Sequence, residues 1–257
     1  MCGRIAELKG VSGIVILLFF FGCSEPKKDT ITIAAAANMQ FAIEEVLKVF
    51  TERTGVKCEL VISSSGKLTA QIKEGAPYDI FVSANMKYPK EIYDNGLAVQ
   101  APRVYAYGQL VLWSMYDTIK PSIAILKDES VKQIALANPK TAPYGQAAIE
   151  VLENYNLYDE VKDKLVYGES IAQTNQFITS KSLEIGFTAK SVVLSPKMKR
   201  KGHWVPLDKN QYSVIEQGVV IIKRESRDVK KVQQFYDFLF SQEAKEILED
   251  FGYLVTE

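Results

Sequence analysis

Short apolar runs alternate with stretches of helical spacing over most of the chain. Residues 31–37 form an apolar run typical of a buried strand, and it narrows to four alanines before Asn38. The next apolar positions recur at the spacing of one helix face, namely Ile43, Val46, Leu47 and Phe50. Gly55 ends this predicted helix, and residues 56–63 read as a second strand. The chain therefore opens with a strand, a helix and a strand.

The same rhythm continues to the carboxyl end. Further strands are predicted at 79–83, 134–137, 165–167, 184–188 and 218–222, and further helices near 68–74, 88–95, 146–155, 171–180 and 232–239. Alternation of strand and helix favours an α/β fold in which parallel sheets carry helices on their faces. The long β-like run at 104–113 can carry the chain into a second lobe. The polar, irregular stretch at 205–214 can carry it back.

Composition and charge narrow the range of partners. The 257 residues are 47% hydrophobic and 24% charged, which is typical of a globular protein with a sizeable core. Lys and Arg number 31, and Asp and Glu also number 31. Because no basic excess is present, nucleic acid is not an expected partner.

The amino-terminal residues predict export. Arg4 and Lys9 precede an apolar run at 14–21, which is too short to span a bilayer comfortably. This order is typical of a secretory signal peptide, predicted here to occupy residues 1–22. A plain signal peptide without lipidation and a single anchor helix are the two alternatives to a lipid anchor.

The residues around Cys23 predict a lipid anchor. The sequence Phe-Phe-Gly-Cys at 20–23 resembles the lipobox of bacterial lipoproteins, in which the cysteine is lipidated and becomes the first mature residue. Residues 23–29 would then form a polar tether that holds the protein at the membrane. Only Cys58 falls in the predicted folded part, so no internal disulfide is expected there.

Four predicted strand-to-helix junctions share one chemistry. They are Ala37-Asn38, Ser64-Ser65-Gly66, Pro143-Tyr144-Gly145 and Glu169-Ser170-Ile171. Ligands of open α/β sheets bind beyond the carboxyl ends of the strands, where helix N–H groups are free. The junctions offer hydroxyl, phenol and amide donors without Lys or Arg, although Lys67 follows the second. They predict a small-anion site from which Glu169 must point away. The alternative is that each Ser or Asn only caps its helix.

Enzyme chemistry has little support in the sequence. His203 is the one histidine, so a His-rich metal centre is not expected. No Gly-x-Ser-x-Gly elbow is present, and residues 64–67 lack the leading glycine of a P-loop. A secreted hydrolase using Ser65 and His203 stays as an alternative. Asp79 and Glu169 could bind a cation or orient loops, with solvated structural roles favoured.

Several motifs together resemble the periplasmic molybdate-binding proteins of bacterial ABC transporters, over nearly all of residues 30–257. They are Ala-Ala-Asn-Met at 36–39, Ser-Ser-Gly-Lys-Leu at 64–68, Gly-Ala-Pro-Tyr-Asp-Ile-Phe at 75–81, Pro139 with Pro-Tyr-Gly at 143–145, Glu-Ser-Ile-Ala-Gln at 169–173 and Phe-Gly-Tyr at 251–253. The resemblance implies a two-lobed type II periplasmic binding fold. Residues 30–107 and 215–257 would form the first lobe, and residues 108–214 the second.

The resemblance also implies a ligand and four contact residues. Asn38, Ser65, Tyr144 and the backbone N–H of Ile171 would hold a tetrahedral molybdate or tungstate ion. Many members carry a ligand tyrosine where this chain has Ala189, and Tyr144 is predicted to replace that phenol. The protein would be a monomer without cofactor or catalysis that delivers the anion to an ABC permease. Sulfate, another oxyanion or a small organic acid are alternative ligands, and a ligand sensor is an alternative role.

Overall fold

The computed structural model describes residues 30–225 and 228–255. The predicted signal peptide, the lipidation site Cys23 and the tether at 23–29 lie outside the described residues. Within the described ranges, no helix combines the length and the apolar character needed to cross a bilayer.

The chain forms ten strands and nine α-helices within the described residues. The first group is β1 Thr30–Ala36, α1 Gln40–Thr54, β2 Lys57–Ser63, α2 Ser65–Lys73, β3 Ile80–Ser83, α3 Lys87–Asp94 and β4 Arg103–Gly108. The second is β5 Leu110–Ser114, β6 Ile134–Ala137, α4 Pro143–Asn154, α5 Tyr158–Val161, β7 Leu165–Gly168, α6 Ile171–Thr179, β8 Ile185–Ala189, α7 Lys190–Val193 and β9 His203–Pro206. The third is β10 Ile215–Ile221, α8 Val229–Phe238 and α9 Gln242–Asp250. Short 3-10 turns occupy Ala37–Met39, Ala124–Lys127, Lys162–Lys164 and Lys209–Gln211.

The strands form two five-stranded sheets with matching layouts. Their orders are β2-β1-β3-β10-β4 and β7-β6-β8-β5-β9. In the first sheet only β10 runs against its neighbours, and in the second only β5 does. Four of the five strands in each sheet therefore share one direction. This arrangement confirms the predicted α/β fold with two lobes, each built on a mostly parallel sheet.

Helix α1 shows how the sequence pattern becomes packing. Its buried apolar residues are Ala42, Ile43, Val46, Leu47 and Phe50, which include the four predicted from helical spacing. Gly55 ends the helix in the left-handed conformation, at a φ of 72°, that glycine adopts without strain. Phe50 packs edge-to-face on Phe235 of α8 with ring centroids 5.2 Å apart. Burial of one such side chain stabilises the fold by about 1.5–3 kcal/mol, which helps to hold α1 in place.

Two details differ from the sequence prediction. The apolar run at 104–113 is two strands, because β4 pairs with β10 in the first sheet as far as Gly108, and β5 pairs with β8 in the second sheet from Leu110. The stretch at 205–214 was expected to be irregular, but β9 extends to Pro206 and pairs Trp204 with Trp113. The sequence shows no alternation of apolar and polar residues there, because β9 is only four residues long and only half buried.

Candidate functional site

A small cavity lies where the two lobes meet. Its lining is Ala36, Ala37, Asn38, Ser64, Ser65, Ala84, Ala142, Pro143, Tyr144 and Ile171. All four predicted contact residues are in this set, and all four are buried. Among the described residues, no lysine, arginine or carboxylate lines the cavity, so its polar character comes from amides and hydroxyls.

The strand register explains why these residues meet. In the first lobe, Ala36 at the end of β1 pairs with Ser63 at the end of β2. In the second, Ala137 at the end of β6 pairs with Gly168 at the end of β7. Parallel strands that end level with each other deliver their following loops to one edge. Each of those loops leads directly into a helix, so four helix starts face the same space.

The helix starts at the cavity are not capped by side chains. Ser64 precedes α2 and Ser170 precedes α6, and neither side chain bonds to its helix. Serine and aspartate do cap helices elsewhere in the chain: Asp228 accepts from α8 and Ser241 from α9. The first N–H groups of a helix have no intrahelical partner, and they carry partial positive charge. In α2 the Gly66 N–H donates to Thr141 O, whereas the other first-turn N–H groups of α2 and those of α6 are available to a ligand.

Ser65 is oriented as a hydrogen-bond donor toward the cavity. Its hydroxyl oxygen accepts from Ala84 N at 3.0 Å, so its own hydrogen is left for another acceptor. Neighbouring Ser64 is only 3% exposed, and its hydroxyl has no hydrogen-bond partner among the described residues. A buried hydroxyl without a partner costs about 1–3 kcal/mol. Both serines thus present unused O–H groups to the cavity.

Asn38 lies in the cavity wall, but its side chain is engaged within the protein. Its Nδ2 donates to Gln217 Oε1 and to the Tyr253 hydroxyl, both at 2.9 Å. The backbone carbonyl oxygen of Asn38 accepts a hydrogen bond from Ser191 Oγ of the second lobe at 2.8 Å. Asn38 does not cap α1, because it sits inside the 3-10 turn that precedes the helix. The side chain therefore fixes this loop in position.

Tyr144 presents a neutral phenol at the lobe boundary. Its hydroxyl oxygen accepts from Gln217 Nε2 at 3.5 Å, and its hydrogen is donated to no described protein group. Gly108 makes room for the ring, since a Cβ at that position would overlap the hydroxyl. Burial, with smaller contributions from Tyr253, Tyr105 and Tyr212, raises the pKa of Tyr144 well above its ordinary value. The phenol is therefore protonated, and a hydrogen-bond donor, at neutral pH.

Ile171 is the first residue of α6, so its N–H has no partner within the helix. Nearby, Glu169 is turned away from the cavity toward Lys67, with Nζ and Oε2 2.5 Å apart. The Glu169 side chain is 69% exposed. The structure thus agrees with the expectation that this carboxylate must point outward. It places the pair at the surface, where it links α2 of the first lobe to the loop before α6.

Sequence reasoning missed the residues that hold the site from behind. Gln217 on β10 and Tyr253 after α9 are both buried and both contact Asn38. They lie 179 and 215 residues from Asn38 along the chain. The Phe-Gly-Tyr motif at 251–253 is part of the family resemblance, but no local pattern assigns Tyr253 a contact with the loop that contains Asn38.

The alternative residues for catalysis are not brought together. His203 lies on β9, with Nε2 3.2 Å from Lys120 Nζ and 3.6 Å from Asp117 Oδ1. It does not line the cavity that contains Ser65. Asp79, expected to be solvated, is buried: its carboxylate accepts from Thr32 N and pairs with Arg224. In the described ranges, no group of three His, Cys, Asp or Glu residues is placed to hold a metal.

The lobes touch directly on both sides of the cavity. Gly66 N donates to Thr141 O at 2.9 Å, and the Tyr88 hydroxyl donates to Lys140 O at 3.2 Å. Lys197 of the second lobe pairs with Glu44 of the first at 3.2 Å. These contacts hold the two lobes against each other beside the cavity.

Two mostly parallel sheets closing over a donor-lined cavity define a two-lobed solute-binding protein. Comparison with known proteins agrees: residues 31–254 match the family described as bacterial extracellular solute-binding proteins, and the chain belongs to that family. It is 36% identical over 249 residues to the molybdate-binding protein ModA of Rhodobacter capsulatus, covering 96% of each chain. It is 34% identical over 225 residues to the molybdate-binding protein ModA of Azotobacter vinelandii, covering 87% of this chain and 89% of that protein.

Solved structures agree with this assignment. The periplasmic molybdate-binding protein of Azotobacter vinelandii superposes with a TM-score of 0.83 at 30% identity. The superposition covers 88% of this chain and 100% of that chain.

Proposed function

We propose that this protein captures molybdate or tungstate outside the cytoplasm and delivers it to an ABC transporter permease. It acts as a carrier and performs no chemistry on the anion. The observation that carries the proposal is the cavity itself, in which unpartnered O–H and N–H groups from both lobes meet without any charged side chain among the described residues. The relatives named molybdate-binding proteins support the choice of anion.

The donor set that we propose comes from four loops. Ser65 and Tyr144 donate their hydroxyl hydrogens, and Ile171 donates its backbone N–H. Asn38 contributes through the backbone N–H groups of its 3-10 turn, because both Nδ2 hydrogens are already donated within the protein. Ser64, whose hydroxyl lacks a partner among the described residues, is a fifth donor. Tyr144 then supplies the phenol that the family resemblance would place at Ala189.

Simple energetics allow tight binding without a cation. A hydrogen bond to a charged group contributes roughly 1.5–3 kcal/mol, so five give about 8–15 kcal/mol before entropy losses. Micromolar binding requires roughly 8 kcal/mol. The four helix starts add favourable partial charge, which acts strongly in a site from which water is excluded.

The same donor set explains the preference that we expect among anions. A fully ionised oxyanion accepts hydrogen bonds at every oxygen. Phosphate is partly protonated near neutral pH, and its O–H would face a wall of donors with no carboxylate to accept it. Sulfate is ionised but smaller, so we expect it to contact fewer of these donors at once.

We further propose that the lobes open and close about the chain crossings near residues 107–108 and 214–215. The first lobe would be 30–107 with 215–257, and the second 108–214. Export with residues 1–22 as signal peptide, anchoring through lipid on Cys23 with 23–29 as tether, and a monomeric state belong to the same proposal. The order of basic, apolar and small residues at the amino terminus supports export and anchoring.

Isothermal titration of the mature domain with molybdate, tungstate, sulfate and phosphate tests the function. We expect tight, one-to-one binding of the first two ions and at least 100-fold weaker binding of the others. No binding heat with molybdate and tungstate would contradict the proposal. Tighter binding of sulfate would reassign the ligand while leaving the carrier role in place.

A further inference from the structure

We propose that Gln217 is a positioning residue that sets the direction of hydrogen-bond donation in the anion site from behind the cavity wall. Gln217 is completely buried and does not line the cavity. The inference deepens the proposed function, because it concerns how the same donors are aimed.

The Gln217 amide uses all of its hydrogen-bonding capacity. Its Oε1 accepts from Asn38 Nδ2 at 2.9 Å and from the Tyr105 hydroxyl at 3.3 Å. Its Nε2 lies 3.3 Å from Ala84 O and 3.5 Å from the Tyr144 hydroxyl oxygen. A side-chain amide has two donors and two acceptor sites, so these four contacts determine which end faces which neighbour.

Through these contacts one side chain reaches three of the four predicted ligand residues. It holds Asn38 and Tyr144 directly. It holds Ala84, whose N–H in turn donates to Ser65 Oγ at 3.0 Å. Asn38 and Ser65 belong to the first lobe and Tyr144 to the second, so Gln217 joins donors from both sides of the cavity.

The strand geometry places Gln217 where it can do this. The pairing of β10 with β4 shifts register between Gln217 and Gly218, as at a β-bulge. Such a bulge re-aims a side chain, and bulges are common beside binding sites. A Cβ at Gly108 of β4 would lie 2.7 Å from Gln217 Nε2, so glycine there lets the amide reach Tyr144.

The orientation of the amide decides what the Tyr144 phenol does. Because Nε2 offers a hydrogen, the Tyr144 oxygen is an acceptor toward Gln217, and its own hydrogen is left for the anion. A carboxylate in the same place would reverse the arrangement. It would accept the phenol hydrogen, withdraw it from the ligand and bring negative charge close to a dianion.

The test compares isothermal titration of molybdate with wild type, Gln217→Glu and Gln217→Met at pH 8. We expect at least 100-fold weaker binding for Gln217→Glu and about tenfold weaker binding for Gln217→Met, which keeps the size but not the polarity. Gln109→Met is the matched control. Gln109 is also buried and its side chain donates a hydrogen bond to Gly252 O at 2.9 Å, without a bond to any of the proposed ligand residues in the described part of the chain.

A pH series separates aiming from simple loss of packing. Between pH 8 and pH 6, the buried carboxyl group introduced by Gln217→Glu takes up a proton, and binding should recover by at least fivefold. The titratable groups that face this position are the phenols of Tyr105 and Tyr144, with Tyr253 beyond Asn38. Burial raises the pKa of all three, so wild-type affinity should stay level over this range.

A double-mutant cycle adds a measurement that a purely structural role would not move. In a Tyr144→Phe background the phenol hydrogen is absent, so Gln217→Glu should weaken binding by a clearly smaller factor than in wild type. Full additivity, or equal losses for Gln217→Met and Gln109→Met, would overturn the proposal. If Gln217→Glu does not fold, the Gln217→Met and Gln109→Met comparison decides. Failure of wild type to bind molybdate would instead refute the proposed function.

Discussion

The backbone N–H of Gly66 donates to the carbonyl oxygen of Thr141 at 2.9 Å, joining the first lobe to the second beside the cavity. A Cβ at Gly66 would lie 2.9 Å from Thr141 Cα and 3.0 Å from the Tyr88 hydroxyl. Contacts with backbone atoms at this distance require something to shift. Glycine at position 66 thus permits the close approach of the lobes.

Gly66→Ala should weaken ligand binding without unfolding the protein. The added methyl group clashes with the Thr141 backbone only when the lobes are closed. Within its own lobe the nearest atom that it meets is the Tyr88 hydroxyl, at the end of a side chain that can shift, and alanine favours helix α2 by up to about 1 kcal/mol. We expect at least tenfold weaker molybdate binding by titration, with an unchanged or higher melting temperature of the ligand-free protein.

Ala70→Gly is the control for this prediction. Ala70 is exposed in the same helix, and its change to glycine costs about 1 kcal/mol of helix stability while adding no atom that could clash with the second lobe. Its affinity should equal that of wild type. Wild-type affinity in Gly66→Ala would mean that the lobes bind ligand without this close approach.

Ser65→Ala should reduce affinity by about 10–100-fold, because it removes a hydrogen bond to a charged ligand worth roughly 1.5–3 kcal/mol. Ser64→Ala should cause a comparable loss of affinity while raising the stability of the ligand-free protein, since its hydroxyl is buried without a partner in the described part of the chain. Titration and thermal unfolding of both variants measure this contrast. Equal affinity in Ser64→Ala and wild type would remove Ser64 from the donor set.

Tyr144→Phe should weaken binding by at least tenfold if this phenol serves as a ligand. Tyr78→Phe is a suitable control because its hydroxyl donates to Gln71 Oε1 at 2.9 Å, away from the cavity. We expect normal affinity in the control. If both variants bind alike, Tyr144 does not substitute for the tyrosine that Ala189 replaces.

Lys67→Met should change affinity by less than about fivefold at about 0.15 M salt. Lys67 pairs with Glu169 at the surface, and such pairs contribute about 0–1 kcal/mol. Lys73→Met removes a comparable surface pair with Glu91 in the same helix and is the control. A loss of 100-fold in Lys67→Met alone would show that a cation is needed and that uncharged donors do not suffice.

Stability should fall steeply above pH 10. Burial raises the pKa of the phenols of Tyr105, Tyr144 and Tyr253 in the folded protein. Above the ordinary tyrosine pKa of about 10, the unfolded chain loses protons that the folded chain keeps, so the free energy of unfolding decreases as pH rises. Below pH 10 this contribution is fully present.

Urea unfolding at pH 8, 9.5 and 10.5 measures this loss, and Tyr253→Phe should make the decline shallower. An equal decline in wild type and Tyr253→Phe would assign the alkaline loss to other groups.

The sequence was sufficient to predict the repeated strand and helix units and the meeting of four loops. Asn38, Ser65, Tyr144 and Ile171 follow strands whose direction and order are set by local patterning and by the handedness of crossovers. Spacing alone did not separate Ser64 from Ser65 as donors, since both face the cavity from one helix start.

Contacts between distant segments were beyond local patterns. Nothing near Gln217 indicates that its amide faces Asn38, because that contact depends on a register shift between two antiparallel strands. The boundary between β4 and β5 at Gln109 was also not predictable. Apolar residues on both sides of it make the two strands look like one continuous run. The family resemblance assigns Asn38 to the ligand, but it does not indicate that its side chain is bonded to Gln217 of β10 and to Tyr253 after α9.

The contact between Tyr253 and Asn38 also bears on when the site becomes complete during synthesis. Behind the cavity, it joins a residue near the start of the fold to one made more than two hundred positions later. A nascent chain that has not yet emerged as far as Tyr253 lacks that support. We therefore expect the loop that carries Asn38 to be less firmly held in a shortened chain, so that the site is complete only once the whole polypeptide has been made.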